Sequence, residues 1–279
     1  MVILVLVSIY EVANSLSENE KWLFHVKHDL QDPSRVLENW SEGTRICDWT
    51  GVSCSPDGFG VVGLNLSGSK FPGIISPALA NIQSLIILDL SFNNMRGPIP
   101  PQLGNNLHNL EILSLFENYL NDTIPPSLGN LSNLSELLLY SSDLSGTIPR
   151  EIGLLKKLKV IRVGDNRLTG PIPEDISKCR ELRVLGFASA SLNGSIPRTF
   201  GQLLQLKFLN LQDNFLSTSI PIELGNCNSL ENFAATRNDL QGAIPLALGK
   251  LRMLQILNLA NNSLSGHIPQ ELGRLKIMI

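Results

Sequence analysis

A phrase of 24 residues repeats along this chain from about residue 61 to the C-terminus, and its clearest copy is LQILNLANNSLSGHIPQELGRL at 254–275. Alignment on one Asn slot gives nine units, with the slot at positions 69, 93, 118, 142, 166, 190, 214, 238 and 262. Every step is 24 residues except one of 25, where Asn105 or Asn106 is an extra residue in LGNNLHNL. Units this short cannot bury an apolar face alone, so they are expected to stack as the coils of a solenoid, numbered one to nine here in chain order.

The pattern within each unit is L-x-x-L-x-L-x-x-N-x-L-x-G-x-I-P, which is typical of a leucine-rich repeat. The central L-x-L alternates as a strand does and predicts one short parallel strand per coil, with its leucines inward. The later Ile-Pro step fixes a backbone φ angle and predicts extended segments and short 3₁₀ turns on the outer side. The predicted fold class is therefore an α/β solenoid, with nine leucine-rich repeats over residues 61–274.

The Asn slot has a structural explanation, because a buried turn leaves backbone N–H and C=O groups that need partners. A side-chain amide supplies both a donor and an acceptor, so the asparagines are expected to stack as a ladder: Asn93, Asn118, Asn166, Asn214, Asn238 and Asn262. Ser69, Ser142 and Ala190 interrupt this ladder. Since alanine forms no such bond, the least protected backbone amides are expected in the coil of Ala190.

Residues 16–60 are predicted to form a cap on the first coil. Ser17 and Glu20 form a capping box before an amphipathic run, which predicts a helix that ends near Asp32-Pro33. Ser34 is expected to begin a second short helix that reaches Trp40.

The four cysteines fall into two pairs with different expectations. Cys47 and Cys54 lie beside tryptophans and suit a disulfide that seals the open end of the solenoid, although a metal pair with His25 or His28 is the alternative. The other two, Cys179 and Cys227, occupy the same slot two coils apart. At about 4.8 Å per strand their α-carbons would be about 10 Å apart, too far for a disulfide. They are expected to be free, buried thiols, and the sequence predicts neither a metal site nor a cofactor.

Both ends of the chain are assigned separately from the repeats. Residues 1–15 begin with MVILVLVSIY and are predicted to be the remnant of a secretory signal, with a buried N-terminal strand as the alternative. The apolar run is far shorter than the roughly 20 residues that span a bilayer. Residues 275–279 are predicted to start a truncated tenth repeat.

Seven Asn-x-Ser/Thr sequons occur, at Asn39, Asn65, Asn121, Asn130, Asn133, Asn193 and Asn261. Together with the predicted disulfide they favour the secretory pathway. Glycosylation is predicted at Asn39, Asn121, Asn130, Asn133 and Asn193. Asn65 and Asn261 are disfavoured because they lie at strand-face positions, where a glycan would block a binding surface.

Catalytic chemistry finds no support in the sequence. A G-x-G-x-x-G match at Gly58–Gly63 leads into a repeat strand, whereas a dinucleotide site needs a strand before it and a helix after it. No H-R-D or V-A-I-K run of a protein kinase is present. The net charge of −3 gives no basic bias toward nucleic acid. A binding function on the exposed strand face is therefore predicted.

The repeat register identifies which side chains face solvent along the strands. Exposed apolar and aromatic residues recur there, although strands favour such residues in any case. The candidate ligand-binding residues are Tyr140, Val160, Arg162, Asp165, Val184, Gly186, Ala188, Phe208, Asn210, Gln212, Asp213 and Arg237.

Coils five and six have small residues, including Gly164, Gly186 and Ala188, which predict a hollow edged by Tyr140 and Arg162. A guanidinium presents a planar fork to sulfate or phosphate, so this hollow could take an anionic aromatic group. Pairing of Arg162 with Asp165 or Asp213 is the alternative.

The segment KWLFHVKHDLQDPSRVLENWSEGTRICDWTGVSC resembles the N-terminal cap of plant leucine-rich-repeat receptor kinases, and the L-x-G-x-I-P form of the repeat resembles their plant-specific subtype. Phrases such as LKVIRVGDNRLTGPIP and IPIELGNCNSLENFAATRNDLQGAIP are similar to early repeats of the GASSHO receptors. The chain departs from that family in length, since such receptors carry many more repeats, a transmembrane helix and a cytoplasmic kinase.

This resemblance implies a plant-type superhelix that forms the extracellular part of a single-pass plasma-membrane receptor. The full-length parent would be a serine/threonine kinase, although the present chain would not be an enzyme. Its expected partners are a secreted, extended peptide on the strand face, tyrosine-sulfated in the GASSHO case, and a leucine-rich-repeat kinase as co-receptor. The alternative is a secreted inhibitor of a cell-wall hydrolase such as polygalacturonase.

Overall fold

The computed structural model describes residues 18–58 and 60–274, and its main feature is one long sheet on the inner side of the solenoid. Its ten strands are Val52–Cys54, Val61–Asn65, Ile87–Asp89, Ile112–Ser114, Glu136–Leu138, Val160–Arg162, Val184–Gly186, Phe208–Asn210, Asn232–Ala234 and Ile256–Asn258. Strands of successive coils pair in parallel and in register, so Val184 lies opposite both Val160 and Phe208. The prediction of one short parallel strand per coil is confirmed. The first strand, from the cap, pairs antiparallel with the second, which the repeat pattern does not predict.

The outer side of the solenoid consists of short helical turns, as the Ile-Pro steps predict. The 3₁₀ turns are Ile46–Asp48 in the cap and Pro77–Asn81, Pro126–Asn130, Arg150–Leu154, Glu174–Lys178, Arg198–Gln202, Ile222–Asn226, Leu246–Lys250 and Gln270–Arg274 in the coils. The coil with the extra residue differs, because Pro101–Asn106 forms an α-helix. There the Leu107 N–H donates to Leu103 O four residues back, whereas Leu131 in the next coil donates to Leu128 O three residues back. The inserted residue is accommodated by this looser winding.

Short strands also connect neighbouring coils along one flank. They are Arg96–Gly97, Tyr119–Leu120, Ser145–Gly146, Arg167–Leu168, Asn193–Gly194, Phe215–Ser219, Asp239–Gly242 and Ser263–Leu264. These segments pair in parallel with their neighbours. The extended segments that the sequence predicts are thus joined into small flanking sheets.

The cap closes one end of the apolar core. A helix over residues 18–30 buries Leu23, Val26 and Leu30 completely. The rings of Trp40 and Trp49 stack with their centroids 5.4 Å apart, and both side chains are almost fully buried. A disulfide joins Cys47 to Cys54, as predicted. The exposed end of a leucine core is therefore covered by apolar residues of a cap that is cross-linked internally and joined to the first coil by strand pairing.

The predicted second helix from Ser34 to Trp40 is wrong, because this segment forms turns. The Asp32 carboxylate accepts hydrogen bonds from the Val36 and Leu37 N–H groups at 3.0 and 2.7 Å. Arg35 takes a left-handed backbone conformation with φ of 54°. A side-chain acceptor thus replaces the carbonyls that a helix would use. Ser17, the signal segment 1–15 and residues 275–279 lie outside the described residues.

The asparagine ladder is confirmed in the six coils that carry Asn. In coil seven, the Asn214 Oδ1 accepts from the Leu192 N–H of the preceding coil at 2.9 Å. Its Nδ2 donates to Phe187 O at 2.8 Å and to Leu211 O at 3.0 Å. Equivalent bonds are made by Asn93, Asn118, Asn166, Asn238 and Asn262.

Coils one, four and six, which carry Ser69, Ser142 and Ala190 in the Asn slot, lack this ladder bond among the described residues. The buried Ser142 Oγ has no hydrogen-bond partner within the described part of the chain. Ala190 has no side-chain polar atom, although its own N–H donates to Asn214 Oδ1 at 3.2 Å. Because each Asn accepts from the coil before it, Ala190 leaves the Leu168 N–H of coil five without the acceptor that Asn214 gives to Leu192. That the least protected amides belong to the coil of Ala190 stays a prediction.

Cys179 and Cys227 are free thiols, fully buried, as predicted. The Cys179 Sγ–H donates to Ile152 O at 3.3 Å, and the Cys227 Sγ–H donates to Phe200 O at 3.2 Å. Burial disfavours the charged form and raises the pKa of both thiols to about 11. They act as small core residues.

Candidate ligand-binding surface

The inner face of the solenoid is built from three-residue strands whose outer side chains repeat from coil to coil. Each strand is followed by a residue with left-handed backbone just before the Asn slot, such as Asp165 and Asp213 with φ of 50° and 56°. Three predicted strand-face residues, Asp165, Asp213 and Arg237, therefore lie in the turn at the end of the face. The left-handed residue redirects the chain so that the following Asn points into the core.

Three aromatic rings lie side by side on coils two to four, and we call Phe92, Phe116 and Tyr140 the aromatic shelf. Phe92 and Phe116 meet edge to face with centroids 4.8 Å apart. Phe116 and Tyr140 stack at 4.4 Å with an interplanar angle of 10°. Burial raises the pKa of Tyr140, and the nearby Arg162 opposes that shift. The aromatic shelf ends at Tyr140, and the next two coils carry smaller residues at this position of the face.

Beyond Tyr140 the inner face sinks into a cavity of about 530 Å³, which we call the hollow. Its lining includes Tyr140, Arg162, Gly164, Asp165, Val184, Gly186, Ala188, Phe208, Asn210, Gln212, Asn232, Ala234, Ile256 and Asn258. Nine of the twelve candidate ligand-binding residues belong to this lining. Val160, Asp213 and Arg237 do not.

The hollow extends further than the sequence predicts. It continues over coils eight and nine through Asn232, Ala234, Ile256 and Asn258. Asn232 and Ile256 occupy the same repeat position as Val184, and Ala234 and Asn258 the same position as Gly186. The register places them on the exposed face, but it does not show that the cavity reaches them.

Two glycines shape the floor of the hollow for different reasons. A β-carbon on Gly164 would lie 2.4 Å from Ala188 O, so this glycine permits close approach of the next coil. A β-carbon on Gly186 would lie 3.2 Å from Arg162 Cγ. The missing side chain at Gly186 lets the aliphatic stem of Arg162 lie against the backbone. The floor is therefore made of backbone.

Arg162 is an exposed cation at the edge of the hollow. Its guanidinium forms no ion pair or hydrogen bond within residues 18–58 and 60–274. The alternative that it pairs with Asp165 or Asp213 is wrong for this structure. Asp213 instead pairs with Arg237 through two bonds, one of them 2.8 Å from Arg237 Nη2 to Asp213 Oδ2.

The Asp213–Arg237 pair is neutral at the turn beside the hollow. Its hydrogen bonds lower the pKa of Asp213 and raise the pKa of Arg237. Arg162 is consequently left as a cation next to the apolar side chains of Val184 and Phe208. A guanidinium beside apolar side chains has the chemistry to hold a group that combines a flat apolar part with a negative charge.

The sequons for which glycosylation is predicted differ in how free their side chains are. Asn121, Asn130 and Asn193 are exposed. The Asn39 Nδ2 donates to Asp48 O at 2.9 Å. Asn133 is half-buried and its Nδ2 donates to His108 O at 2.8 Å. Glycosylation at these five positions stays a prediction.

Among the described residues, no helix combines the length and the apolar composition needed to cross a bilayer. Nor do three His, Cys, Asp or Glu side chains come together there in a manner suited to a metal ion.

Comparison with protein families matches both parts of the chain. Residues 17–55 match the leucine rich repeat N-terminal domain. Five segments match the Leucine Rich Repeat family, at 84–106, 109–131, 157–179, 205–227 and 253–275. The chain belongs to the leucine-rich-repeat proteins.

Its relatives within that family are plant receptor kinases. The chain is 47% identical over 66 residues to the LRR receptor-like serine/threonine-protein kinase GSO2 of Arabidopsis thaliana, a match that covers 23% of this chain and 5% of the relative. Only a small part of that kinase is therefore matched, so the activity of a whole receptor is not established for this chain.

Two solved ectodomains show the same architecture. The GASSHO1/SCHENGEN3 ectodomain of Arabidopsis thaliana, in complex with Casparian strip integrity factor 2, is 38% identical with a TM-score of 0.89, over 92% of this chain and 32% of that one. The Arabidopsis receptor kinase HAESA, in complex with the peptide hormone IDA and the co-receptor SERK1, is 31% identical with a TM-score of 0.64, over 94% of this chain and 53% of that one. The predicted resemblance to plant receptor-kinase ectodomains is confirmed.

Proposed function

We propose that this chain is the extracellular, peptide-sensing part of a plant leucine-rich-repeat receptor kinase. An extended peptide lies across the inner strands and places one anionic aromatic side chain in the hollow. The observation that carries this proposal is the unpaired Arg162 guanidinium beside Tyr140, at the edge of a cavity lined by both apolar and polar side chains. The peptide complexes of the solved GASSHO1 and HAESA ectodomains support it.

The chemistry of the hollow favours a sulfated tyrosine. Val184, Ala188 and Phe208 offer apolar contacts to a ring. Arg162 can donate two parallel N–H bonds to sulfate oxygens, and such charge-assisted bonds are stronger than neutral ones. A neutral tyrosine would fill the same space but leave the guanidinium without its partner. We therefore expect discrimination between the sulfated and unsulfated forms of one peptide.

Calorimetric titration with Casparian strip integrity factor 2 peptide, tyrosine-sulfated and unsulfated, tests this proposal. We expect the sulfated form to bind the native chain at least about tenfold more tightly, and Arg162→Ala to remove most of that difference. Arg167→Ala is the matched control, because it removes one exposed cation of the same coil that pairs with Asp143 at 2.8 Å on the flank. Equal affinities for both peptides in all three proteins would contradict the proposal.

The same proposal includes the cellular location of the chain and its partner proteins. The chain enters the secretory pathway, carries glycans and acts on the extracellular side of the plasma membrane, where the bound peptide recruits a leucine-rich-repeat kinase as co-receptor. The parent protein supplies a single membrane span and a serine/threonine kinase. The disulfide Cys47–Cys54 supports an extracellular setting.

A further inference from the structure

A second group of cations borders the hollow along the edge where the inner strands begin. Lys159, Arg183 and Lys207 occupy one slot in coils five, six and seven, and we call them the basic row. The Arg183 N–H donates to Lys159 O at 2.8 Å, and the Lys207 N–H donates to Arg183 O at 2.9 Å. These bonds place the three residues on adjacent coils, with their backbones about 4.8 Å apart.

The basic row does not help the fold. Like charges on neighbouring strands repel and destabilise a sheet. A stabilising arrangement would alternate in sign, as the next step of the same slot does, where Lys207 Nζ meets Glu231 Oε1 at 2.8 Å. Lys159 and Arg183 are exposed, and neither side chain forms an ion pair or hydrogen bond with any described residue. Two adjacent cations are therefore held without a partner.

The position of the basic row ties it to the hollow. Arg183 and Lys207 directly precede Val184 and Phe208, which line the cavity. Arg162 stands at the other end of the coil-five strand, Val160–Arg162. A ligand in the hollow is consequently near cations at both ends of the strands. Three cations without an ion pair, Lys159, Arg162 and Arg183, thus stand around the hollow, whereas Asp165 is the one carboxylate among the described residues of its lining.

Carboxylates limit the length of this positive stretch. The same slot holds Glu111 in coil three, the neutral Ser135 in coil four and Glu231 in coil eight. The basic row therefore spans about 10 Å between its first and last member. In an extended peptide, alternate side chains on one face are about 7 Å apart. This length fits two acidic side chains on one face of the peptide, whereas a long polyanion would meet the flanking glutamates.

We propose that the basic row binds a short acidic segment of the peptide ligand, adjacent to the residue that fills the hollow. This inference rests on the proposed function and specifies its ligand as a peptide with clustered acidic side chains. It concerns Asp and Glu side chains and does not depend on sulfation. Recognition at two neighbouring subsites would bring the peptide to one register along the coils.

The probe is a short fluorescent peptide of alternating Asp and Ser, compared with its Asn and Ser counterpart by fluorescence anisotropy on the secreted, glycosylated chain. We expect the acidic probe to bind at low ionic strength and to be lost near 1 M salt, where the Debye length is about 3 Å. In Lys159→Gln/Arg183→Gln its affinity should fall roughly three- to tenfold. The control Arg150→Gln/Arg198→Gln removes the same charge from the outer 3₁₀ turns and should bind as the native chain does.

Two outcomes would overturn this inference. Unchanged affinity of the acidic probe for Lys159→Gln/Arg183→Gln is the first. The second is that the double substitution weakens the binding of polygalacturonate but leaves the affinity for the acidic peptide unchanged. That result would show that the basic row binds a wall polysaccharide. Loss of the acidic probe in the double variant supports the inference. That result stands apart from the sulfation test, because the probe carries no tyrosine and Arg162 is intact in both double variants.

Discussion

Coils three and six have the same backbone conformation but present different side chains on the inner face. Their inner strands, Ile112–Ser114 and Val184–Gly186, belong to one sheet, and the residue before the Asn slot has φ of 50° and 51° in the two coils. Coil three presents Phe116 and is tied to coil two by Asn118, whereas coil six presents Ala188 and has Ala190 in the Asn slot. The buried leucines maintain the register in both. The exposed strand-face positions can therefore differ between coils, and they form the aromatic shelf in one place and the hollow in the other.

The largest effect should come from closing the space between coils five and six. Gly164→Val places a β-carbon against Ala188 O, and neither backbone can move without shifting a coil. We expect the free energy of unfolding to fall by about 3 kcal/mol. Urea unfolding followed by circular dichroism measures this loss.

The matched control for that substitution is Gln212→Val, at the same slot two coils later. Residue 212 already carries a β-carbon, so the change should stay within about 0.5 kcal/mol. Similar losses for both variants would show that the small residue at 164 is not required for the approach of coil six.

A smaller loss is expected when the ladder of coil three is made to resemble that of coil six. In Asn118→Ala, the Met95 N–H loses its acceptor and the Leu90 and Leu115 carbonyls each lose a donor. We expect a loss of about 2 kcal/mol in urea unfolding. Ser142→Ala changes the same slot one coil later, and its hydroxyl has no partner to lose. If both variants lost equal stability, the hydrogen bonds of Asn118 would not be the cause.

The smallest effect concerns single backbone amides. Ala190 offers no acceptor to the Leu168 N–H, whereas Asn214 accepts from the Leu192 N–H at 2.9 Å. A hydrogen bond worth about 1 kcal/mol corresponds to roughly fivefold slower exchange. We expect hydrogen–deuterium exchange to be about five- to tenfold faster at Leu168 than at Leu192. Equal protection of the two amides would mean that the interruption at coil six has no energetic consequence.

Most of the fold could be predicted from the sequence because interior positions recur. The slot of Leu185 holds a buried apolar residue in all nine coils, so one assignment serves the whole array. The segment 33–39 has no repeat to support it, and the local bonds of Asp32 decide its turns. The α-helix Pro101–Asn106 depends on how one extra residue is absorbed, which the spacing leaves open.

The candidate site could be predicted only in part. The repeat register identified the hollow around Arg162 and Gly186, because it shows which residues of each coil lie on the exposed strand face. It did not reveal how far the hollow continues toward Asn258, since that depends on the curvature produced by small rotations between coils. Nor did it reveal the pairing of Arg237 with Asp213, which depends on side-chain direction at a left-handed turn.

The seclusion of Cys179 and Cys227 has a consequence for maturation in an oxidising compartment. In the unfolded chain all four cysteines would have an ordinary pKa near 8.5 and could pair in the wrong combination. Once the coils have stacked, a pKa of about 11 leaves roughly one thiol in ten thousand ionised at pH 7. Attack on the Cys47–Cys54 bond then becomes negligible. Stacking of coils five to seven around Cys179 and Cys227 therefore protects the Cys47–Cys54 disulfide from exchange with these two thiols.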